Sequence, residues 1–256
     1  MSTRPKKKLS LNTAVAREIL SDILITIGVF VLLFYVWYVW LGDLVAGAQQ
    51  DSAATSLSES WAKPPAGILE FDREIGSSRG AGRTPKPPVL QPPQAGQAFA
   101  TIIIPRFGER FERTIEESVD VKTVLNDSST GVGHYSSTSA LGEVGNFALA
   151  AHRGTFGASF GQIDELRVGD RIYIETEAGW YVYRFRNMEF VYASESTVLN
   201  DVPKMSVVAR DRILTMTTCH PKQSISERFI AYSLFESFVP RNKGAPLEVA
   251  NKRSNP

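Results

Sequence analysis

The chain has 256 residues, with 28 Lys and Arg against 27 Asp and Glu and a formal net charge of +1. That length holds one sizeable domain plus accessory segments, and the balanced charge leaves no basic face for nucleic acid. A single cysteine excludes an internal disulfide and a four-cysteine zinc site, and three scattered histidines give no metal-ligand spacing.

Residues 1–20 form a basic N-terminal segment with Arg4, Lys6, Lys7, Lys8 and Arg17. Residues 21–42 are predicted to be a transmembrane helix. The run from Ile23 to Gly42 carries no charge and is long enough to cross a bilayer. Tyr35, Trp37, Tyr38 and Trp40 gather at its end as an interfacial belt would. The positive-inside rule then places the N-terminus in the cytoplasm and the remainder outside, at the cell membrane. A cleaved signal peptide is the rival reading, since Ala46-Gly47-Ala48 resembles a small-residue cleavage site. The length of the apolar run and its aromatic end favour a retained anchor. A buried soluble helix is disfavoured, because a helix apolar on every face needs protein on every side.

Residues 43–97 contain Pro64, Pro65, Pro85, Pro87, Pro88, Pro92 and Pro93 among many Ala, Ser, Gly and Gln. Such a composition reads as a partly extended extracellular stem, with room for a short helix over 51–61. From residue 98 the texture changes. Strands are predicted at 99–105, 147–151, 171–175, 180–186 (extended or followed by 188–193), 212–218 and 228–236. The segments 171–175 and 180–186 form a hairpin, and a helical turn or loop lies at 163–169. Many short strands with turn residues between them predict an all-β fold, a closed or nearly closed barrel over 98–240. The tail, 241–256, is polar and is expected to be flexible.

The single cysteine, Cys219, ends an apolar strand-like run beginning at Arg212. Exported proteins usually pair their cysteines or lack them, so a lone thiol there points to chemistry. A base or cation must favour the thiolate. His220 is adjacent in sequence, but strand alternation turns it to the opposite face. His152 ends a buried strand and opens a glycine-containing loop, and His134 sits in the glycine-flanked run Gly131-Val-Gly-His-Tyr135. Geometry ranks His152 first, His134 second and His220 last, against the ordinary reading of each as a loop or surface histidine. Arg228 begins the strand after Cys219, at the same sheet end if the two strands are antiparallel neighbours. It is then placed to hold a developing oxyanion. On spacing alone, a surface arginine paired with Glu227 or Glu236 is the better reading.

The run Thr215-Met216-Thr217-Thr218-Cys219 followed by Arg228, together with Asn146-Phe-Ala-Leu-Ala-Ala-His152-Arg153, resembles the sortases, cysteine transpeptidases of bacterial surfaces. The resemblance covers about residues 99–238. Met216 stands where the family usually has Leu, a volume-conserving exchange. Cys219-His220-Pro221, Gly133-His134-Tyr135 and Ala151-His152-Arg153 look like class E, the housekeeping type of many actinobacteria. Pilin-polymerising class C enzymes carry a second span and a lid motif that the sequence lacks.

The resemblance implies a sortase-like closed β-barrel with His152, Cys219 and Arg228 as catalytic residues. It implies substrate contacts from Thr218, His220, His134 and Tyr135. It further implies cleavage of a C-terminal sorting signal of Leu-Ala-x-Thr-Gly or Leu-Pro-x-Thr-Gly type between Thr and Gly, through a thioacyl enzyme. The implied partners are surface proteins bearing that signal and an amine of the peptidoglycan precursor lipid II, or a pilin lysine in the alternative role. No organic cofactor is expected, and the sequence offers no defensible calcium ligand cluster. The rivals are a noncatalytic anchored module binding wall polymer and a hydrolytic surface peptidase.

Overall fold

The computed structural model describes residues 13–37, 42–62, 86–222 and 224–254. The basic residues before Thr13, the aromatic residues Tyr38 and Trp40, and stem residues 63–85 lie outside the described residues. The chain divides into two compact units, residues 1–42 and 43–256. Within the first, helix α1 (Thr13–Val36) is uncharged from Ile23 onward, and Val15–Val36 is long and apolar enough to cross a membrane.

The second unit is built on a closed barrel of eight strands: β1 (Ala98–Ile103), β2 (Glu112–Glu117), β3 (Val132–His134), β4 (Gly145–Ala151), β5 (Arg171–Thr176), β6 (Gly179–Tyr192), β7 (Arg212–His220) and β8 (Glu227–Pro240). Around the barrel the order is β1-β2-β3-β4-β7-β8-β6-β5. The pairs β2/β3 and β4/β7 are parallel, and the others are antiparallel. Closure removes free edges, which is how so many short strands become one stable sheet.

The predicted hairpin is present as β5/β6, with Glu175 opposite Trp180. The segments at 180–186 and 188–193 belong to one fourteen-residue strand, β6, which bends at two register shifts against β8. The sequence reading missed β2 and β3. β2 carries Glu112, Arg113, Glu116 and Glu117, which break any apolar alternation, and β3 is three residues long.

Alternation sorts side chains to the two sides of the barrel wall. Phe147, Leu149 and Ala151 of β4, Leu214 and Met216 of β7, and Phe229 and Ala231 of β8 point inward to the main core. Residues between them stand on the outer face.

Two accessory segments pack on the barrel, and both correct the sequence reading. Helix α2 (Gly42–Ala62) occupies the start of the expected extended stem and runs well beyond 51–61. Its inner face consists of Gly47, Gln50, Ala54 and Ser58, all buried. This face has the i, i+3, i+7 spacing of a docked helix without its usual apolar residues, so hydropathy does not reveal it. Polar contacts hold it instead. Asp51 accepts from the Glu112 N–H at 2.9 Å and pairs with Arg113. Ser58 donates to Glu175 at 2.9 Å, and Arg241 lies over Trp61.

The expected flexible tail contains helix α3 (Leu247–Ser254). Val249 is fully buried against Ile103, Tyr173, Trp180 and Val182. Arg253 reaches Glu112 at 2.7 Å and Glu175 at 2.5 Å. A polar tail orders here because its arginine neutralises carboxylates that the barrel has already buried.

Candidate active site

Three chain segments bring the predicted catalytic residues to one place. Cys219 lies near the end of β7, directly opposite Arg228 on β8. On the other side of β7, the parallel register pairs Ala150 with Thr217. Continuing that register by two residues sets His152 level with Cys219. The Thr218 hydroxyl donating to the Ala151 carbonyl at 2.7 Å holds the two chains together at this level. Cys219 and Arg228 have the outward parity of their strands, and His152 is the first residue after β4. The three lie in a row at one end of three neighbouring strands, running from the end of β4 across β7 to β8.

The row has an open cysteine and a committed histidine. Cys219 is partly exposed as a free thiol. His152 is partly buried, its ring against Phe156 with centroids 5.2 Å apart. Its Nε2 lies 2.8 Å from the Asn126 Oδ1. That carbonyl oxygen accepts from an Nε2–H, which leaves Nδ1 free for proton exchange. Burial pushes the His152 pKa below the usual histidine value, and the Asp43 carboxylate of α2 opposes this. The neutral imidazole is favoured, and Asp43 sustains part of the imidazolium population.

Asn126 went unnoticed in the sequence. It closes the single turn Val121–Leu125, which Asp120 caps by accepting from the N–H groups of Lys122 and Thr123. Its own N–H donates to the Val121 carbonyl at 2.9 Å. The Asp120-x-x-Thr123 cap was a legible turn signal, but nothing in it says that the turn ends beside a histidine 26 residues later.

Arg228 pairs with neither Glu227 nor Glu236. Its Nη1 donates to the carbonyls of Ile225 at 2.9 Å and Glu227 at 3.0 Å, and Glu236 is taken by Arg171 and Arg184. The loop carbonyls fix the guanidinium, and no carboxylate among the described residues neutralises it. A fixed, unneutralised fork beside the thiol suits an oxyanion.

The four expected substrate contacts separate. Tyr135 borders the row: its hydroxyl lies 3.0 Å from the Thr217 Oγ1, on the outer face two residues before Cys219. Thr218 does not face a substrate. It has the inward parity of Leu214 and Met216, is buried, and spends its hydroxyl on Ala151.

His134 is also misassigned as a contact. It is 1% exposed, with Nδ1 2.7 Å from Glu117 and its ring stacked on Phe147 at 4.6 Å, as a satisfied interior histidine. His220 faces away from the row, as alternation requires. Its Nδ1 accepts from Arg153, a donor-only group, at 2.7 Å, and its ring lies 4.2 Å from Phe190. These corrections share one cause. Sequence adjacency to a motif does not say which side of the wall a residue faces or whether a neighbour has already taken its polar atoms.

Fold and site together define a class: an eight-stranded closed β-barrel with a strand-end cysteine, a histidine just past the neighbouring strand, and an arginine held by backbone carbonyls. The Sortase domain family model matches residues 102–235, and the chain belongs to the sortase family, whose members are cysteine transpeptidases.

Within that family its similarity is to class E. It is 32% identical to sortase SrtE1 of Streptomyces coelicolor over 91% of its own length, and spans 60% of that relative. The solved sortase E of Streptomyces avermitilis is 32% identical, with a TM-score of 0.54 over 61% of this chain and 99% of that one. The SrtA sortase from Actinomyces oris is 34% identical, with a TM-score of 0.60 over 65% of this chain and 95% of the other.

Proposed function

We propose that the chain is a membrane-anchored transpeptidase that joins sorting-signal proteins to an amine of the cell-wall precursor lipid II. The observation that supports this reading is that Cys219 and Arg228 stand directly opposite each other on β7 and β8, while His152 follows the last residue of β4, whose carbonyl accepts from Thr218 beside the cysteine. The Cys219 thiolate attacks the Thr–Gly carbonyl, and Arg228 holds the tetrahedral oxyanion. His152, as imidazolium, gives its proton to the departing glycine amine, leaving a thioacyl enzyme. The incoming amine then attacks, His152 takes its proton, and the thiolate departs.

Tyr135, which borders the row, contacts the sorting peptide. The scheme needs no organic cofactor, since nucleophile, acid–base group and oxyanion donor are all side chains. Helix α1 is the anchor, with the basic segment before it cytoplasmic and the barrel outside. Tethering at the membrane raises the effective concentration of a lipid-linked acceptor.

The test uses the full chain in detergent with fluorogenic Leu-Ala-x-Thr-Gly and Leu-Pro-x-Thr-Gly peptides, with and without an added amine. Mass spectrometry should find the peptide joined to the amine, and Cys219→Ala should give no turnover. Hydrolysis alone in the presence of amine supports a peptidase instead. Transfer only to a lysine side chain supports the pilin role. No turnover at all, with a thiol that sorting peptide does not protect from alkylation, supports a noncatalytic module.

A further inference from the structure

We propose that Gln50 on helix α2 is a positioning residue for His152, so that the helix following the apolar segment in sequence is part of the catalytic machinery. The inference rests on His152 being the acid–base group. Gln50 is a fully buried polar side chain whose amide is spent on the two loops that carry the histidine. Its Nε2 donates to the Asp127 carbonyl at 3.2 Å and to the Phe156 carbonyl at 3.0 Å, and its Oε1 accepts from the Ser159 hydroxyl at 3.1 Å.

Each of these partners leads directly to the imidazole. Asp127 follows Asn126, which holds the His152 Nε2. Phe156 puts its ring against the imidazole. Ser159 precedes Phe160, whose N–H closes the loop onto the His152 carbonyl at 3.0 Å.

The backbone is shaped around this amide. Gly131 and Gly157 both adopt positive φ, 77° and 80°, and a Cβ on either would come within 2.5 Å of the Gln50 amide. Those two glycines give the side chain its cradle, one from each loop. Asp43, two turns earlier on α2, accepts from the Gly157 N–H at 3.3 Å. Helix α2 therefore fastens the Asn126 loop to the His152 loop through one buried amide. Without it, the two loops are left with the pairing of Val132 and Ala151 at their roots and the imidazole bond itself.

The experiment compares Gln50→Met and Gln50→Ala with Ser58→Ala in the full chain in detergent. Ser58 also ties α2 to the barrel, but through Glu175 and away from His152. Gln50→Met keeps the volume and removes every bond. It is expected to lower kcat for the sorting peptide about 10- to 100-fold, the usual cost of displacing a reacting group, with KM within about twofold. Ser58→Ala should lower Tm and leave kcat at the wild-type value. Ser159→Ala removes one of the three bonds without touching α2 and should give an intermediate loss, which keeps the question open to test if a Gln50 variant fails to fold.

A wild-type kcat in Gln50→Met, or an equal kcat loss in Ser58→Ala, overturns the positioning role. If the wild-type chain turns over no sorting peptide, the functional reading itself fails. The His152 imidazole NMR signals then decide: displaced signals in Gln50→Met with unchanged ones in Ser58→Ala support the role, and unchanged signals in both overturn it.

Discussion

Asn126→Ala removes the oxygen that accepts from the His152 Nε2 at 2.8 Å while leaving the row of His152, Cys219 and Arg228 untouched. In the proposed cycle His152 passes through an imidazolium, so the bond at stake is one to a charged group. Such bonds contribute about 1.5–3 kcal/mol. Because His152 is only partly buried, the lower end applies, about 1.5 kcal/mol, which corresponds to roughly a tenfold loss in kcat/KM. The loss should fall on kcat, since Asn126 is not among the residues bordering the cysteine.

Asn126→Asp keeps the acceptor and adds a charge beside the ring. It should retain most of the activity and raise the His152 pKa. The assay is steady-state turnover of a sorting peptide by the full chain, with the alkylation rate of Cys219 as a check that the thiol is still accessible. An Asn126→Ala enzyme within about twofold of wild type would show that this bond does not orient the imidazole during turnover.

Asp43→Asn removes the carboxylate that opposes the burial of His152, so the His152 pKa should fall further below its usual value. NMR titration of the imidazole checks this, and an unchanged or raised pKa refutes it. The imidazolium fraction at neutral pH, and with it kcat/KM, should fall by the same factor.

Arg228→Lys keeps the charge but loses the fork, and should cost about 10²–10³-fold in kcat with little change in Tm. A wild-type rate would remove the oxyanion role. Arg253→Ala leaves Glu112 buried without its main counter-charge, since Glu175 keeps Arg241 and Ser58. Urea denaturation should register about 3 kcal/mol of lost stability at neutral pH. The loss should shrink in acid, because burial already raises the Glu112 pKa and the protonated form needs no partner. A loss below about 1 kcal/mol would mean that α3 is not the neutralising element.

Strands β4, β7 and β8 were legible because each holds a run of residues whose alternate members face an apolar interior. The same alternation separates Cys219 from His220 in the sequence itself. β2 was illegible for the converse reason. Glu112, Arg113 and Glu117 are buried against α2, α3 and His134, and those partners lie up to 141 residues away in sequence. Helix α2 hid behind an inner face of Gly, Gln, Ala and Ser, which carries no hydropathy signal yet docks through hydrogen bonds. A consequence is that the fragment 98–240, which sequence alone would select as the catalytic domain, lacks both α2 and α3 and so lacks the Gln50 tie and the Arg253 counter-charge.

The sequence by itself determined the lone thiol, the apolar helix, the strand-rich domain and the resemblance that paired Cys219 with His152 and Arg228. These are local or motif properties, encoded in residue order and period. Only the tertiary structure decided that Arg228 meets no carboxylate among the described residues, that His134 and Thr218 are spent inside the wall, and that Asn126 and Gln50 stand behind His152. Each of those facts depends on which polar atoms meet across distant segments, and closure of the barrel settles that rather than any stretch of chain.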